Sequence, residues 1–313
     1  MIIAIASGKG GTGKTTIATS LALSLAGQPG RAAPALIPPL YLDCDVEAPN
    51  AHLFLHPVFE ERREAGILVP QIDHQKCTLC GKCVEVCQYH AIAVLDRKTT
   101  VFAQLCHGCG SCTLTCPERA ITETRDVIGM LERGKTPSGV DFGRGVLSIG
   151  EPMAVPIIRQ LKKWVAAEPD QVVILDAPPG SSCPVVETLR GADFGLLVTE
   201  PTPFGLHDLK LALQVTRELN IPAGVIINRV QEDTASAGMY LAVDDYCTQQ
   251  GLPVLMRIPF ERKIAEGIAQ GKTLVEIDPE TAPLFEEMFI QIISARTDAV
   301  LLSSSSMQPE ERR

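Results

Sequence analysis

The chain is 313 residues long, with 28 Lys+Arg against 37 Asp+Glu, a formal net charge of −9 and a pI near 5.2. That balance excludes nonspecific nucleic-acid binding, which depends on lysine and arginine neutralising phosphates, while 45% hydrophobic residues provide for a sizeable core. No apolar run is long enough to span a bilayer and the opening MIIAIAS lacks a basic region, so the eleven cysteines are expected in a reducing cytoplasm, where metal binding is favoured over disulfides.

The apolar run at 2–6 predicts a buried strand, followed by the glycine-rich stretch GKGGTGKTT and a helix over 15–26. Residues 27–39, rich in Pro, Gly and Ala, predict a loop, and 40–43 a second strand that opens the acidic stretch YLDCDVEAPN. The segment from 72 to 124 breaks this rhythm with an internal repeat. CTLCGKCVEVCQYHAI and CHGCGSCTLTCPERAI align at an offset of 29 residues, matching all four cysteines, Gly81 with Gly110 and the terminal Ala-Ile. Beyond it the pattern predicts helices over 155–167, 206–219 and 281–295, and strands at 172–176, 194–199, 223–228 and 254–258. Strand–helix alternation implies an α/β fold with a mainly parallel sheet covered on both faces. The expected division is 1–70 and 125–298 for a phosphate-binding domain in two parts, 71–124 for an inserted module, and 299–313 for a polar, low-complexity, disordered tail.

Gly8-x4-Gly13-Lys14-Thr15 matches the P-loop pattern in its required setting between a strand and a helix. Backbone N–H groups along Gly8, Lys9, Gly10, Gly11, Thr12, Gly13, Lys14, Thr15 and Thr16 are expected to converge on phosphate oxygens, helped by the partial positive charge of the helix N-terminus. Lys14 is expected to reach the β- and γ-phosphates of ATP, and Thr15 to ligate Mg2+.

The additional lysine, Lys9, makes GKGGTGKTT resemble the deviant Walker motif of the MinD/ParA/nitrogenase-iron-protein class of ATPases. The resemblance implies that Lys9 crosses to the partner's nucleotide in an ATP-sandwich homodimer, and that Asp45 lies in switch I and orients the attacking water. It also implies that Asp43 helps hold the magnesium shell, that Asp176 in VVILDAPPG is the Walker-B acid, and that Asn228 in INRV contacts adenine. Lys9, Lys14, Asp45 and Asp176 are thus the expected catalytic set.

The two quartets, Cys77-x2-Cys80-x2-Cys83-x3-Cys87 and Cys106-x2-Cys109-x2-Cys112-x3-Cys116-Pro117, resemble bacterial two-cluster ferredoxins. In that pattern the fourth cysteine ligates the other cluster. The resemblance implies one [4Fe–4S] cluster on Cys77, Cys80, Cys83 and Cys116, and another on Cys106, Cys109, Cys112 and Cys87. Gln88 stands where a proline usually follows the fourth cysteine. His90 and His107 flank ligands and read as surface histidines. Cys44 reads as a packing residue, Cys247 has no motif around it, and Cys183 follows the switch II glycine where the nitrogenase iron protein has a cluster ligand, though without a second such cysteine here.

The pattern as a whole, over residues 1–295, is similar to MinD-superfamily ATPases with an inserted ferredoxin domain. It implies an Mg2+-dependent ATPase whose nucleotide state and ATP-dependent homodimerisation control electron transfer to a redox or metallocofactor partner protein. Two further readings stand beside it: an iron–sulfur cluster carrier, against which the absence of a C-terminal CxxC counts, and a MinD/ParA-like positioning protein with a redox-sensing module. The last helix is flanked by Glu286 and Glu287 and followed by a neutral-to-acidic tail, so membrane association is not expected.

Overall fold

The computed structural model describes residues 1–27, 37–231 and 234–305. Its centre is β1 (Ile2–Ala6), whose alternating side chains divide the core in two. Ile3 and Ile5 enter one apolar cluster, and Ala4 and Ala6 the other. A parallel strand covered on both faces has no solvent side, which is why such strands are continuous apolar runs. The chain then forms α1 (Lys14–Ala26), β2 (Leu40–Asp43), a short α2 (His52–Leu55) and the long β3 (Val58–Ile72). Next come α3 (Lys82–Glu85), β4 (Ile92–Leu95), β5 (Lys98–Val101), α4 (Ser111–Thr115) and a second long strand, β6 (Ile121–Lys135). β7 (Asp141–Leu147), α5 (Val155–Trp164), β8 (Val173–Asp176), α6 (Cys183–Leu189), β9 (Phe194–Thr199) and α7 (Pro203–Glu218) follow. The chain continues through β10 (Ala223–Val230), α8 (Thr234–Gln249), β11 (Val254–Pro259), α9 (Arg262–Ala269), α10 (Leu274–Ile277) and α11 (Thr281–Ser305).

Among the described residues nine strands form one sheet in the order β11-β10-β9-β1-β8-β2-β7-β6-β3. It is parallel from β11 to β7 and antiparallel from β7 through β6 to β3. α1, α10 and α11 pack together on one face, where the Ser20 hydroxyl accepts a hydrogen bond from Leu274 N at 3.0 Å. α5 and α6 pack together on the other. No helix among the described residues is long and apolar enough to cross a membrane.

The predicted parallel strands appear within two residues of their expected ends. α7 starts at Pro203 rather than 206, because Thr202 caps it by accepting from Gly205 N at 2.9 Å and Pro203 suits the first helical turn. α5 stops at Trp164, short of 167. α11 runs to Ser305, past the expected end at 295. Residues 306–313 and most of the expected loop at 27–39 lie outside the described residues.

The main addition is a ribbon. β3 and β6, fifteen residues each, pair along their whole length and extend the sheet. The charged stretch EERRE in β3 hides this strand from hydrophobic patterning. Across the ribbon those charges find partners: Arg62 pairs with Glu132 at 2.9 Å, Arg133 with Glu61, and Arg144 of β7 with Glu132 at 2.6 Å. Opposite charges across a sheet stabilise the pairing without an apolar side chain. At the far end, between Ile72 and Ile121, hangs the cysteine-bearing segment. Its repeat is structural as well: α3 and α4 are each entered through a left-handed glycine, Gly81 at φ 79° and Gly110 at φ 75°.

Candidate functional site

The loop between β1 and α1 depends on the absence of side chains at two positions. A Cβ on Gly8 would lie 2.4 Å from the carbonyl oxygen of Asp208. Gly13 has φ +97°, and a Cβ there would lie 2.4 Å from the amide nitrogen of Asn228. Within the loop the Lys14 ammonium donates to Ser7 Oγ at 2.9 Å and to the Lys9 carbonyl at 3.4 Å. Gly180 N, just after β8, donates to Ser7 O at 3.1 Å, tying the expected switch II to the loop. Burial lowers the Lys14 pKa, with Asp176 and Asp45 pulling it back up.

The carboxylates come from the carboxyl ends of β2 and β8, where open α/β sheets place their ligands. Asp43 pairs in register with Asp176. Asp43 accepts from Ala51 N at 3.1 Å and Asp45 N at 3.2 Å. Asp176 accepts from the Tyr41 hydroxyl at 2.9 Å through Oδ2, while its buried Oδ1 has no partner. The hydroxyl of Thr12 is likewise buried and unpartnered. Burial raises Asp43 well above the carboxylate range, and Asp176 beside it adds to the effect. Burial also pushes Asp176 up to about 6, and raises Asp45 against the pull of Lys14.

These shifts fix a sign. A carboxylate whose pKa is higher folded than unfolded penalises the native state once it ionises, so stability falls as pH rises from about 4 through about 6. Asp176→Asn is therefore expected to stabilise the metal- and nucleotide-free protein near neutral pH by on the order of 2 kcal/mol, and to give no gain near pH 4. Thermal unfolding at the two pH values measures this, and a gain at acid pH alone contradicts it.

A cleft of about 480 Å³ opens over the loop, within the size range of small-molecule sites. It is lined by Gly10, Gly11, Gly13, Lys14, Thr15, Thr16, Asp45 and Asn228, which are sequence-predicted, and by Asn50, Pro179, Arg229, Pro259, Phe260, Ile264 and Ile268, among others that are not. Of the second group, Pro259, Phe260, Ile264 and Ile268 give the cleft apolar surface. Their signal was the topology alone: β11 is parallel to β1, so the turn after it emerges at the same edge. Asn228 donates to the Thr12 carbonyl at 2.7 Å and accepts from Arg229 N at 2.9 Å, bracing the loop from β10. Lys9 and Lys14 have different side-chain partners. The Lys9 ammonium lies 3.2 Å from Glu200, whose other oxygen takes Arg229 at 2.6 Å.

At the end of the ribbon the eight cysteines of the repeat divide between two small cavities. One is walled by Cys77, Cys80, Cys83 and Cys116, the other by Cys87, Cys106, Cys109 and Cys112. Three sulfurs accept backbone N–H groups: Cys87 from Ala91 at 3.3 Å, Cys116 from Ala120 at 3.3 Å and Cys106 from Gly108 at 3.4 Å. Burial raises the thiols of Cys83, Cys106 and Cys112. Among the described residues no group of three or more His, Cys, Asp or Glu side chains converges on a point where one metal ion would sit. His107 stacks on Tyr89 with ring centroids 3.6 Å apart. Cys44 and Cys247 are buried, the latter pushed up to about 11 by that burial, and Cys183 is exposed at the start of α6.

Residues 3–275 match the model of the CobQ/CobB/MinD/ParA nucleotide binding domain. An uncharacterized protein of Methanocaldococcus jannaschii is 30% identical over 283 residues, 88% of this chain and 92% of its own. An iron–sulfur cluster carrier protein of Pseudomonas fragi is 24% identical over 92% of this chain and 84% of its own. Among solved structures, the septum site-determining protein MinD of Pyrococcus horikoshii, complexed with Mg-ADP, superposes with a TM-score of 0.51 at 19% identity, over 92% of this chain and 93% of that one.

Proposed function

Since this chain belongs to the CobQ/CobB/MinD/ParA nucleotide-binding family and is a P-loop ATPase, we propose that it couples its nucleotide state and dimerisation to electron transfer from an inserted two-cluster ferredoxin module to a partner protein. The observation that carries the reading is the division of eight cysteines into two four-thiol cavities at the tip of a ribbon rooted in the ATPase sheet. A cubane spreads its thiolates over four corners, so a cavity walled by four cysteines fits it better than a single converging point does. Backbone N–H donors aimed at three of the sulfurs suit thiolates rather than free thiols. When bound, such clusters supply one-electron storage.

The ATPase half fits Mg2+ and phosphate on its own chemistry. Thr12 Oγ1 and Asp176 Oδ1 are buried without partners, which costs stability unless a ligand satisfies them. Thr15 would hold the metal directly, with Asp43 and Asp176 behind it, and Mg2+ would supply charge neutralisation at the phosphates. Lys14 holds the phosphate chain, and Asp45 at the mouth of the cleft orients the attacking water and takes its proton. Asn228 braces the loop and, with Phe260 and Ile264, borders the base end. Lys9 leaves Glu200 to reach the nucleotide of a second copy, adding positive charge where the transition state gains negative charge.

The ribbon supplies a mechanical reason for coupling. β2 ends in Asp43 and pairs with β7, β7 pairs with β6, and β6 with β3. A rearrangement at the γ-phosphate thus reaches the cysteine tip through continuous hydrogen-bonded strands, the kind of switch movement that γ-phosphate contacts control. A carrier role is the second reading, favoured by the name of the Pseudomonas fragi relative.

One anaerobic experiment separates them. Chemically reduced protein is mixed with an oxidised acceptor protein, with and without MgATP. Faster electron loss with ATP, with iron remaining on the chain, is the expected result. Stoichiometric movement of iron and sulfide to an apoprotein contradicts it and selects the carrier.

A further inference from the structure

We infer that Tyr41 is a positioning residue for Asp176: its hydroxyl pins one carboxylate oxygen so that the other stays turned to the metal side of the site. The inference rests on Asp176 being the metal-facing carboxylate. Tyr41 and Asp43 lie two apart on β2 and so share a face, and their register partners on β8 are Ile174 and Asp176. The tyrosine ring lies in the core, and its hydroxyl reaches forward to the end of the next strand, donating to Asp176 Oδ2 at 2.9 Å. Oδ1 is buried and has no partner.

A carboxylate has two chemically equivalent oxygens and a broad torsion about its terminal bond. Alone, it would present either oxygen. One fixed donor removes that equivalence. The donor is fixed here because the ring is fully buried and stacked on Phe142, with centroids 5.6 Å apart and planes 4° from parallel. Phe142 in turn meets the edge of Phe59 at the root of the ribbon, at 6.0 Å and 67°. Leucine stands on either side of Tyr41 in β2, so packing alone does not call for a phenol. A buried phenol requires an acceptor, and Asp176 provides it.

Tyr41→Phe keeps the ring and its stacking and removes only the donor. The expected result is a kcat roughly tenfold lower, with KM for ATP within about twofold of wild type. In parallel, affinity for Mg2+ in the presence of a non-hydrolysable ATP analogue, read by calorimetry, falls several-fold. A hydroxyl that merely supports the fold would move the melting temperature and leave both readings unchanged. Phe142→Leu, which keeps the hydroxyl but loosens its seat, is expected to give a smaller fall in both. Wild-type kcat and Mg2+ affinity in Tyr41→Phe overturn the inference. Asp176→Asn is the control for the premise: if it hydrolyses ATP at the wild-type rate, the assignment of Asp176 fails, whatever Tyr41→Phe does.

Discussion

Lys14→Gln and Lys9→Gln are each expected to lower ATP hydrolysis by roughly a thousandfold, with only the first abolishing nucleotide binding to the single chain. Lys14 is buried inside the loop, its ammonium held by Ser7 and the Lys9 carbonyl. That seat is where phosphate oxygens arrive, so losing the charge removes ground-state binding as well as catalysis. The ammonium of Lys9 sits outside the cradle against Glu200, with the side chain 35% exposed. A charge placed there contributes nothing to binding in one chain and acts only after a second chain has docked. Calorimetry on dilute protein, followed by turnover at high protein concentration, separates the two. Equal loss of binding in both variants would put Lys9 on its own nucleotide. Mixing Lys9→Gln with Lys14→Gln gives a further check, since a heterodimer retains one intact composite site.

Serine replacements in the repeat are expected to split into two groups. Cys77→Ser and Cys116→Ser remove one spectroscopic cluster signal, whereas Cys87→Ser and Cys106→Ser remove the other. In each case anaerobically reconstituted protein falls from about eight to about four iron atoms per chain. The pairing across the repeat, not within it, is the discriminating feature, because each cavity takes three cysteines from one quartet and one from the other. If Cys116→Ser and Cys106→Ser deplete the same signal, the crossed assignment is wrong. Iron analysis combined with electron paramagnetic resonance of the reduced protein measures both outcomes. ATP hydrolysis is expected to survive these changes, since no repeat cysteine lines the nucleotide cleft.

Much of this molecule could be read from its residues because its signals are local. Gly8, Gly13, Lys14 and Thr15 occupy one turn between a strand and a helix, and backbone stereochemistry dictates that turn. Asp43 and Asp176 end apolar runs, so parallel pairing had to bring them to one edge. The ribbon was not legible for the opposite reason. β3 and β6 are held by charge pairs such as Arg62–Glu132, whose partners lie 70 residues apart in the chain. Composition in that stretch resembles a solvated loop, and only pairing turns it into a sheet. Phe260, Ile264 and Ile268 were missed similarly, since nothing in their neighbourhood marks them as cleft residues rather than core. The hold of Glu200 on Lys9 is likewise a contact across the fold, with no local mark in the sequence.

If the γ-phosphate is felt at the cysteine tip, the clusters report it in their potentials. The most direct measurement is the midpoint potential of each cluster in the anaerobic holoprotein, titrated with MgADP and then with a non-hydrolysable MgATP analogue. A coupling free energy of the usual size for linked sites corresponds, for one electron, to a shift on the order of 50–100 mV in at least one cluster. That shift is expected in the wild-type protein and is expected to be lost in Lys14→Gln. Identical potentials in both nucleotide states, in protein shown to bind both nucleotides, would contradict the coupling.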